Sequence, residues 1–160
     1  MKALSPPDAH RMTQAELLAL IDQAAEEGWT ELDLSGQGLT ELPPEIGRLT
    51  QLETLVLGKV EGWNWVNNGN VPTLIGNELT TLPDELGHLK NLSKLDLSGN
   101  PLGKIPTSVF QIQSLTSLTA VDTQLTEIPA VIGQLTNLTE LFLDNNQLTE
   151  IPAVIGQLTN

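Results

Sequence analysis

The stretch "LTELFLDNNQLTEIPAVIGQLTN", residues 138–160, carries the pattern from which the fold can be inferred. Its last fourteen residues, "QLTEIPAVIGQLTN", also occur unchanged at residues 124–137, an offset of 23 positions. A core built from unique contacts gains nothing from the same segment written twice, whereas a stacked array needs each unit to present the same faces to its neighbours. The stretch therefore predicts a repeat protein.

The same unit can be followed back to residue 29. Blocks of 23 residues begin at Trp29, Leu92, Leu115 and Leu138. One longer block, residues 52–91, keeps the pattern but has 17 extra residues, near 59–75. Five repeats therefore account for residues 29–160, residues 1–28 form a separate N-terminal segment, and no segment after the fifth repeat reads as a cap.

Within each block the spacing of the apolar residues changes once. Leu95 and Leu97 give a short period-2 element, which predicts a strand with one buried face. An Asn such as Asn100 follows where the chain must turn, and its side chain can satisfy backbone groups that a turn leaves unpaired. Leu-Pro or Ile-Pro comes next in all five blocks, and Pro suits the first position of a helical turn. Apolar residues three and six positions later, as in Ile46 and Leu49, predict a short helix or 3₁₀ segment.

This pattern, L-x-x-L-x-L-x-x-N-x-L-x-x-[LI]-P-x-x-[IVL]-x-x-[LI]-x-x, resembles the leucine-rich repeat family over residues 29–160. The resemblance implies an α/β solenoid, a right-handed arc with a concave parallel β-sheet and short helical or 3₁₀ segments on the convex side. The departures are Gln37 and Thr123 in place of the Asn, Trp29 in place of the first Leu, and Ala120 in place of a core Leu. We therefore expect an irregular Asn ladder at repeats one and four.

Residues 13–28 have the features of a helix that closes the open end of a solenoid. Thr13 and Glu16 have the spacing of a capping box, and Gly28 can end the helix. A broad apolar face consists of Leu17, Leu18, Leu20, Ile21, Ala24 and Ala25. Because the first unit of a stack exposes an apolar edge, we expect an N-terminal capping helix. A partner-binding helix is the alternative.

Charge and composition limit the classes of function. The net charge of −13 argues against binding nucleic acid or anionic membranes, because both reward the Lys and Arg that this chain lacks. The chain has no Cys, which excludes disulfides, thiolate zinc sites and a cysteine nucleophile. The start "MKALSPPDAHRM" lacks the apolar run of a signal peptide, and no window reaches transmembrane length. These features predict a cytoplasmic protein.

No motif predicts catalysis, a cofactor or a metal. The two histidines, His10 and His88, lie far apart in the sequence, and a metal site needs convergent ligands. "GNPLGKIP", residues 99–106, is one residue too short for a phosphate loop and has Ile105 where a hydroxyl should bind magnesium. Residues 144–146, Asp-Asn-Asn, lack the spaced carboxylates of a calcium loop. We therefore expect a non-enzymatic protein without cofactors.

A binding function then has to lie on a surface, and the exposed strand residues are the first candidates. Side chains alternate across a strand, so the residues beside the buried leucines face away from the core. They are Glu31 and Asp33, Thr54 and Val56, Lys94 and Asp96, Ser117 and Thr119, Glu140 and Phe142. These positions vary while the core positions hardly do, which favours a binding strip. Phe142 stands out because it has no polar tip, although it could instead pack against neighbouring strand residues.

The extra segment of the second repeat is the other candidate surface. "KVEGWNWVNNGNVPTLI", about residues 59–75, contains Trp63 and Trp65 in a chain with few aromatic residues. Its Gly, Asn and Pro residues predict an irregular or hairpin-like loop. The two indoles either fold back onto the solenoid or face a partner. We expect them to fold back, because two permanently exposed indoles reduce solubility.

A closer resemblance concerns the repeats together with the capping helix and the enlarged second repeat. These look like the N-terminal repeat region of bacterial, especially cyanobacterial, Roco proteins, in which the repeats precede a Roc GTPase module and a COR dimerisation module. The resemblance implies a regulatory or partner-recruiting region. We favour a non-enzymatic scaffold that binds a protein. The alternative is the targeting part of a larger enzyme, either a Roco-type GTPase or a bacterial ubiquitin ligase.

The fifth repeat has no following unit in this sequence. We therefore expect an unpaired strand edge near residues 140–144 and incompletely buried apolar residues, namely Leu148, Ile151, Ile155 and Leu158. The expectation is that the chain is a piece of a longer array, or that another molecule covers this end. Self-association through the fifth repeat would be one such cover.

Overall fold

The structure, a computed structural model, describes residues 11–158, so that His10 lies outside the described part. The chain begins with helix α1, Gln14–Glu27. Thr13 is its N-cap: the Glu16 N–H donates to the Thr13 hydroxyl at 3.2 Å, and the Thr13 N–H donates to the Glu16 carboxylate at 2.7 Å. Gly28 ends the helix with φ of 63°, in the left-handed region that favours glycine.

Helix α1 covers the first repeat, as expected of a capping helix. Leu17, Ile21 and Ala24 are fully buried and belong to the same core as the leucines of the repeats. The helix packs against the first 3₁₀ segment, and Arg48 of that segment forms an ion pair with Asp22. The apolar face of α1 is therefore used inside the molecule, which contradicts its use as a partner-binding helix.

Each repeat contributes one short strand to a parallel sheet. The strands are β1 (Glu31–Asp33), β2 (Thr54–Val66), β4 (Lys94–Leu97), β5 (Ser117–Thr119) and β6 (Glu140–Phe142), in the order β1-β2-β4-β5-β6. The central leucine of each strand pairs with the central leucine of the next, from Leu32 to Leu141. Because one repeat advances the chain by one strand, equivalent positions of all five repeats lie side by side.

The convex side consists of 3₁₀ segments that follow the Leu-Pro or Ile-Pro pairs. They span Pro44–Arg48, Asp84–His88, Val109–Gln111, Ala130–Gln134 and Ala153–Gln157. The apolar residue three positions after each Pro points into the core, where Ile46, Leu86, Val109 and Ile132 are fully buried. The predicted solenoid, with a parallel sheet on one side and short 3₁₀ segments on the other, is confirmed.

A ladder of Asn side chains joins the repeats just after the strands. Asn100 donates through Nδ2 to Leu57 O of the preceding repeat at 3.2 Å and to Leu97 O of its own repeat at 3.0 Å. Its Oδ1 accepts a hydrogen bond from Leu79 N at 3.3 Å. Asn77 and Asn146 make equivalent bonds. These side chains satisfy buried backbone groups that the turns leave unpaired.

The ladder is irregular at repeat four, as expected. Thr123 is too short to accept a hydrogen bond from Leu102 N, which donates to Asn100 O instead at 2.7 Å. The Thr123 hydroxyl lies 3.2 Å from Ala120 O and 3.1 Å from Asn146 Oδ1, so it remains within the network. At repeat one, Gln37 donates to Ser35 O at 3.2 Å, within its own repeat.

The extra segment of the second repeat is a β-hairpin. Strand β2 continues beyond the sheet to Val66 and pairs antiparallel with β3, Gly69–Ile75. The two-residue turn consists of Asn67 and Asn68, with φ of 48° and 67°, the positive values that a type I′ hairpin turn requires. The hairpin-like form was predicted, but the strand shared with the solenoid sheet was not.

The fifth repeat is less buried than the fourth. Ile151 is 55% exposed, whereas its counterpart Ile128 is 6% exposed. Leu148, Ile155 and Leu158 are half-buried, while their counterparts in the fourth repeat are fully buried. The expected exposure of these apolar side chains is therefore present in the structure.

Candidate functional site

The strand residues that face away from the leucine core form two rows across the sheet, which we call the concave rows, and these side chains are exposed or half-buried. Parallel pairing in register places these residues next to one another. Row one is Glu31, Thr54, Lys94, Ser117 and Glu140, and row two is Asp33, Val56, Asp96, Thr119 and Phe142. The structure thus brings together all the strand residues that the sequence singled out.

Phe142 is a large apolar side chain on this surface. It lies beside Thr119 in row two and is 47% exposed. The chain has only one other phenylalanine, Phe110, which is fully buried in the core. Phe142 therefore packs in part against its neighbours and still presents about half of its surface to solvent.

Row two contains two copies of one local motif, Asp-Leu-Ser. Ser35 donates to Asp33 Oδ1 through its N–H at 2.9 Å and through its hydroxyl at 2.6 Å. Ser98 donates to Asp96 Oδ1 in the same two ways, at 3.0 and 2.6 Å. Each serine uses both of its donors on one oxygen, so both carboxylates are held in the same orientation, with Oδ2 turned away from the serine.

The second oxygen of Asp33 binds a lysine from the base of the hairpin. Lys59 Nζ lies 2.8 Å from Asp33 Oδ2. Partial burial acts to raise the pKa of Asp33, but Lys59 and the two Ser35 donors outweigh it and hold the pKa below its ordinary value. Sequence reasoning missed this pair because no local pattern links residues that are 26 positions apart.

Asp96 has no such cation among the described residues. Burial raises the pKa of Asp96 above its ordinary value, the charge of Asp33 adds to the rise, and the bonds from Ser98 and the charge of Lys59 oppose it. Within residues 11–158 it has no ion-pair partner, since Lys59 pairs with Asp33. The structure therefore leaves a carboxylate that is oriented, partly desolvated and not in contact with a counter-charge from residues 11–158.

The hairpin displays its tryptophans on one face. Trp63 pairs with Pro72 and Trp65 with Asn70, and residues two apart on a strand share a face. Trp63 is 44% exposed and Trp65 is 80% exposed. The expectation that both indoles fold back onto the solenoid is wrong, because the segment forms a two-stranded ribbon, with one register shift between Val60 and Gly62, that leaves Trp65 largely and Trp63 partly in solvent.

No group of three or more His, Asp or Glu residues within residues 11–158 is arranged to hold a metal ion, and His88 is an exposed residue of the convex side.

An open groove of about 540 Å³ beside the strand ends is lined by backbone and by polar side chains such as Glu78, Asp122 and Gln124. No helix of the described chain is a candidate membrane span, and α1 has only 14 residues.

Comparisons with known proteins found similar repeat proteins. The family profile described as "Leucine-rich repeat region" matches residues 71–160. No curated protein sequence matches the chain. Among solved structures, a leucine-rich repeat protein of Leptospira interrogans is 31% identical, with a TM-score of 0.56 and an alignment that covers 86% of this chain and 37% of the other.

Two further solved structures share the fold. The leucine-rich repeat domain of the type III effector XopL is 25% identical, with a TM-score of 0.68, over 92% of this chain and 46% of that one. Internalin C2 of Listeria monocytogenes is 24% identical, with a TM-score of 0.63, over 86% of this chain and 51% of that one. The chain thus spans between 37% and 51% of the length of these structures.

Proposed function

The chain belongs to the leucine-rich repeat family, and from that premise we propose that it is a non-enzymatic module that binds a protein partner through the concave rows. Leucine-rich repeat domains generally serve as protein-interaction modules, and solenoids present extended concave surfaces for this purpose. The proposed contact residues are those of the two rows from Thr54 and Val56 to Glu140 and Phe142. The proposal keeps the predicted division of the chain into an N-terminal segment, residues 1–28, and five repeats, residues 29–160.

The observation that carries the proposal is the register of the sheet. Five strands place variable side chains of different chemistry beside one another on the side of the sheet that faces away from the leucine core. A half-exposed phenylalanine within such a polar surface is the kind of anchor that protein interfaces bury. The leucines behind the rows hold these side chains on a rigid scaffold.

The hairpin is a second candidate contact surface of the proposed interface. β2 runs from the concave rows directly into the hairpin, so that Val56 and Trp63 lie on one continuous strand. Trp65, at 80% exposure, is a residue type enriched in the centres of interfaces. We propose that a partner bound to the concave rows near β2 also contacts the hairpin.

A pair of matched substitutions tests the concave surface. Fragments of the source organism's proteins are displayed on phage and selected on the whole chain, and selected fragments are then measured against Thr119→Lys and Thr107→Lys. Thr119 lies in row two, whereas Thr107 is exposed beside the third 3₁₀ segment. We expect Thr119→Lys to weaken binding by about tenfold or more and Thr107→Lys to leave it unchanged. Equal affinities for two folded variants, as checked by circular dichroism, would remove the concave rows from the proposal.

The alternative is a regulatory or targeting region of a larger enzyme, such as a Roco-type GTPase or a bacterial ubiquitin ligase. The short share of each related structure that this chain spans is the reason to retain it. Coding sequence next to this segment is the test: a G-x-x-x-x-G-K-[ST] motif supports the GTPase, and a helical domain with a catalytic cysteine supports the ligase. The Roco-like relationship, the bacterial source, the cytoplasmic location and the absence of nucleic-acid and membrane partners stay predictions.

Self-association through the fifth repeat also stays a prediction. The exposed Ile151 and the half-buried leucines beside it are the observations that support it. Sedimentation velocity over a range of concentrations, with Ile151→Asn as the variant, tests the idea. A sedimentation coefficient that does not change with concentration would count against it.

A further inference from the structure

We infer that the concave face binds an extended, basic protein segment, with Asp96 as the acceptor for one of its cationic groups and Lys59 as an internal competitor. The inference rests on the proposed function and adds the chemistry of the partner. It begins from the two Asp-Leu-Ser motifs of row two, which have the same hydrogen bonds but different surroundings.

The Asp33 motif has a cationic partner, and the Asp96 motif has none among residues 11–158. Asp33 uses Oδ1 for the two donors of Ser35 and Oδ2 for the ammonium group of Lys59, at 2.8 Å. Asp96 uses Oδ1 for the two donors of Ser98, and no cation of residues 11–158 is paired with its other oxygen. Since the local geometry is the same, the position that Lys59 occupies at Asp33 corresponds to a position at Asp96 that an incoming ammonium or guanidinium group could take.

The surroundings favour a cation at that position. The pKa of Asp96 is raised by burial and by the nearby charge of Asp33, so its charged form is poorly compensated. A partner's cation would supply the missing counter-charge. The overall charge of −13 acts in the same direction, because it attracts basic segments and repels acidic ones before contact.

The neighbours of Asp96 suggest an extended occupant. Val56 lies one strand away on one side, and Thr119 and then Phe142 follow on the other. With strands about 4.8 Å apart, row two from Val56 to Phe142 is about 14 Å long. A segment laid along this row would place a basic side chain at Asp96 and apolar side chains near Val56 and Phe142.

Lys59 has a separate part in this arrangement. Its ammonium group pairs with Asp33 but also acts on Asp96 through its charge. A partner's cation at Asp96 would therefore be repelled by Lys59. Removing the lysine charge should strengthen binding of a basic segment, whereas a mainly structural role of the Asp33–Lys59 pair would leave affinity unchanged or reduce it.

The test uses three labelled dodecapeptides in which Leu alternates with Arg, Glu or Ser, measured by fluorescence anisotropy with the full chain at about 0.15 M salt. We expect binding of the Arg peptide only. Asp96→Asn should weaken it by about fivefold or more, and Lys59→Met should strengthen it by about threefold or more. Asp84→Asn and Lys104→Met make the same charge changes at exposed sites outside the concave rows and should alter affinity less than twofold, that is, by about 0.4 kcal/mol or less.

The results separate this inference from the proposed function. No binding of the Arg peptide, or equal losses for Asp96→Asn and Asp84→Asn, would overturn the inference, the latter by showing a general attraction to an acidic protein. Binding of the Glu or Ser peptide in preference to the Arg peptide would overturn the inference. The proposed function would still stand if the NMR chemical shifts of backbone amides changed only in the strands when that peptide binds. The proposed function itself fails only if the Thr119→Lys comparison fails.

Discussion

Gly76 and Gly99 are in direct backbone contact: a Cβ atom on Gly76 would lie 1.9 Å from the carbonyl oxygen of Gly99. Gly76 follows β3 at the base of the hairpin, and Gly99 follows β4 in the next repeat. On the other side, Gly36 N donates to Gly76 O at 3.1 Å. The hairpin is therefore anchored between the first and third repeats by contacts that leave no room for a side chain.

Gly76→Ala should destabilise the protein. The new methyl group would overlap backbone atoms that cannot move separately, which costs about 1–3 kcal/mol in unfolding free energy. Gly62→Ala is the matched control in the same hairpin, because a Cβ there has no heavy atom within 4 Å. Urea denaturation of both variants checks the prediction, and equal stabilities would contradict it.

Thr123→Asn should stabilise the protein by completing the ladder at repeat four. The longer side chain could accept the hydrogen bond from Leu102 N, as Asn100 does from Leu79 N. Because Leu102 N already donates to Asn100 O, the additional buried hydrogen bond comes from the amide group of the new Asn, which has two donors where the Thr123 hydroxyl has one, and the expected gain is about 0.5–1.5 kcal/mol. Thr123→Val serves as the control, since it keeps the shape and removes the hydroxyl, and it should destabilise the protein. The prediction fails if thermal unfolding shows no rise for Thr123→Asn.

The two phenylalanines should respond differently to removal. Phe110→Ala leaves a cavity in the core and should cost about 3–5 kcal/mol. Phe142→Ala removes a half-exposed ring and should cost only about 1 kcal/mol, while it weakens binding of the protein fragments selected above. A stability loss for Phe142→Ala as large as that for Phe110→Ala would show that Phe142 serves packing instead of binding.

Asp33 and Asp96 should make opposite contributions to the pH dependence of stability. The lowered pKa of Asp33 means that its charged form stabilises the fold above the ordinary value of 3.8, and that this contribution is lost as pH falls through the lower pKa of the folded state. The raised pKa of Asp96 means that its charged form is disfavoured in the fold above that pKa, and that stability is regained as pH falls toward 3.8.

Asn substitutions separate the two effects. Asp33→Asn should lower the unfolding free energy at pH 7, and its difference from the parent protein should shrink below pH 3.8. Asp96→Asn should raise the unfolding free energy at pH 7, and this difference should disappear as pH falls through the raised pKa. Urea denaturation over a pH series measures both. Differences of the same sign at pH 7 would contradict the assignment.

The exposed hairpin indoles should be visible in fluorescence. In single-tryptophan variants, Trp65 should emit at the wavelength of an indole in water and be strongly quenched by acrylamide, because 80% of its surface is exposed. Trp63 should be less quenched than Trp65. Trp29, which is half-buried and donates a hydrogen bond to Glu27 at 2.7 Å, is the internal reference. Blue-shifted, unquenched emission from Trp65 would show that the hairpin folds back in solution.

The sequence predicted the parts of the fold that depend on a short period. The capping box of Thr13, the strands around Leu95 and the 3₁₀ segments after each Pro follow from local chemistry, and the structure contains them. The pattern also placed the concave residues on one face, since a 23-residue period forces equivalent positions to stack. Asn77 also lies in the ladder, although the hairpin separates it from the strand of its own repeat.

Long-range details of the candidate site could not be predicted in this way. The Asp33–Lys59 pair joins a repeat to the hairpin, and the pKa of Asp96 depends in part on the charges of those two residues. The orientation of Trp65 depends on whether the hairpin bends over the solenoid, which local propensity does not determine. Solubility alone suggested the wrong answer for the indoles.

The hairpin enters and leaves the solenoid at one point, because Lys59 and Ile75 are paired neighbours at its base. Adjacent antiparallel residues are about 5 Å apart, which is little more than one step along a chain. The segment between them can therefore be exchanged for ribbons of other lengths and sequences without moving the strands on either side. The second repeat is therefore an insertion site, and a foreign loop could be displayed there while the remaining repeats keep their register.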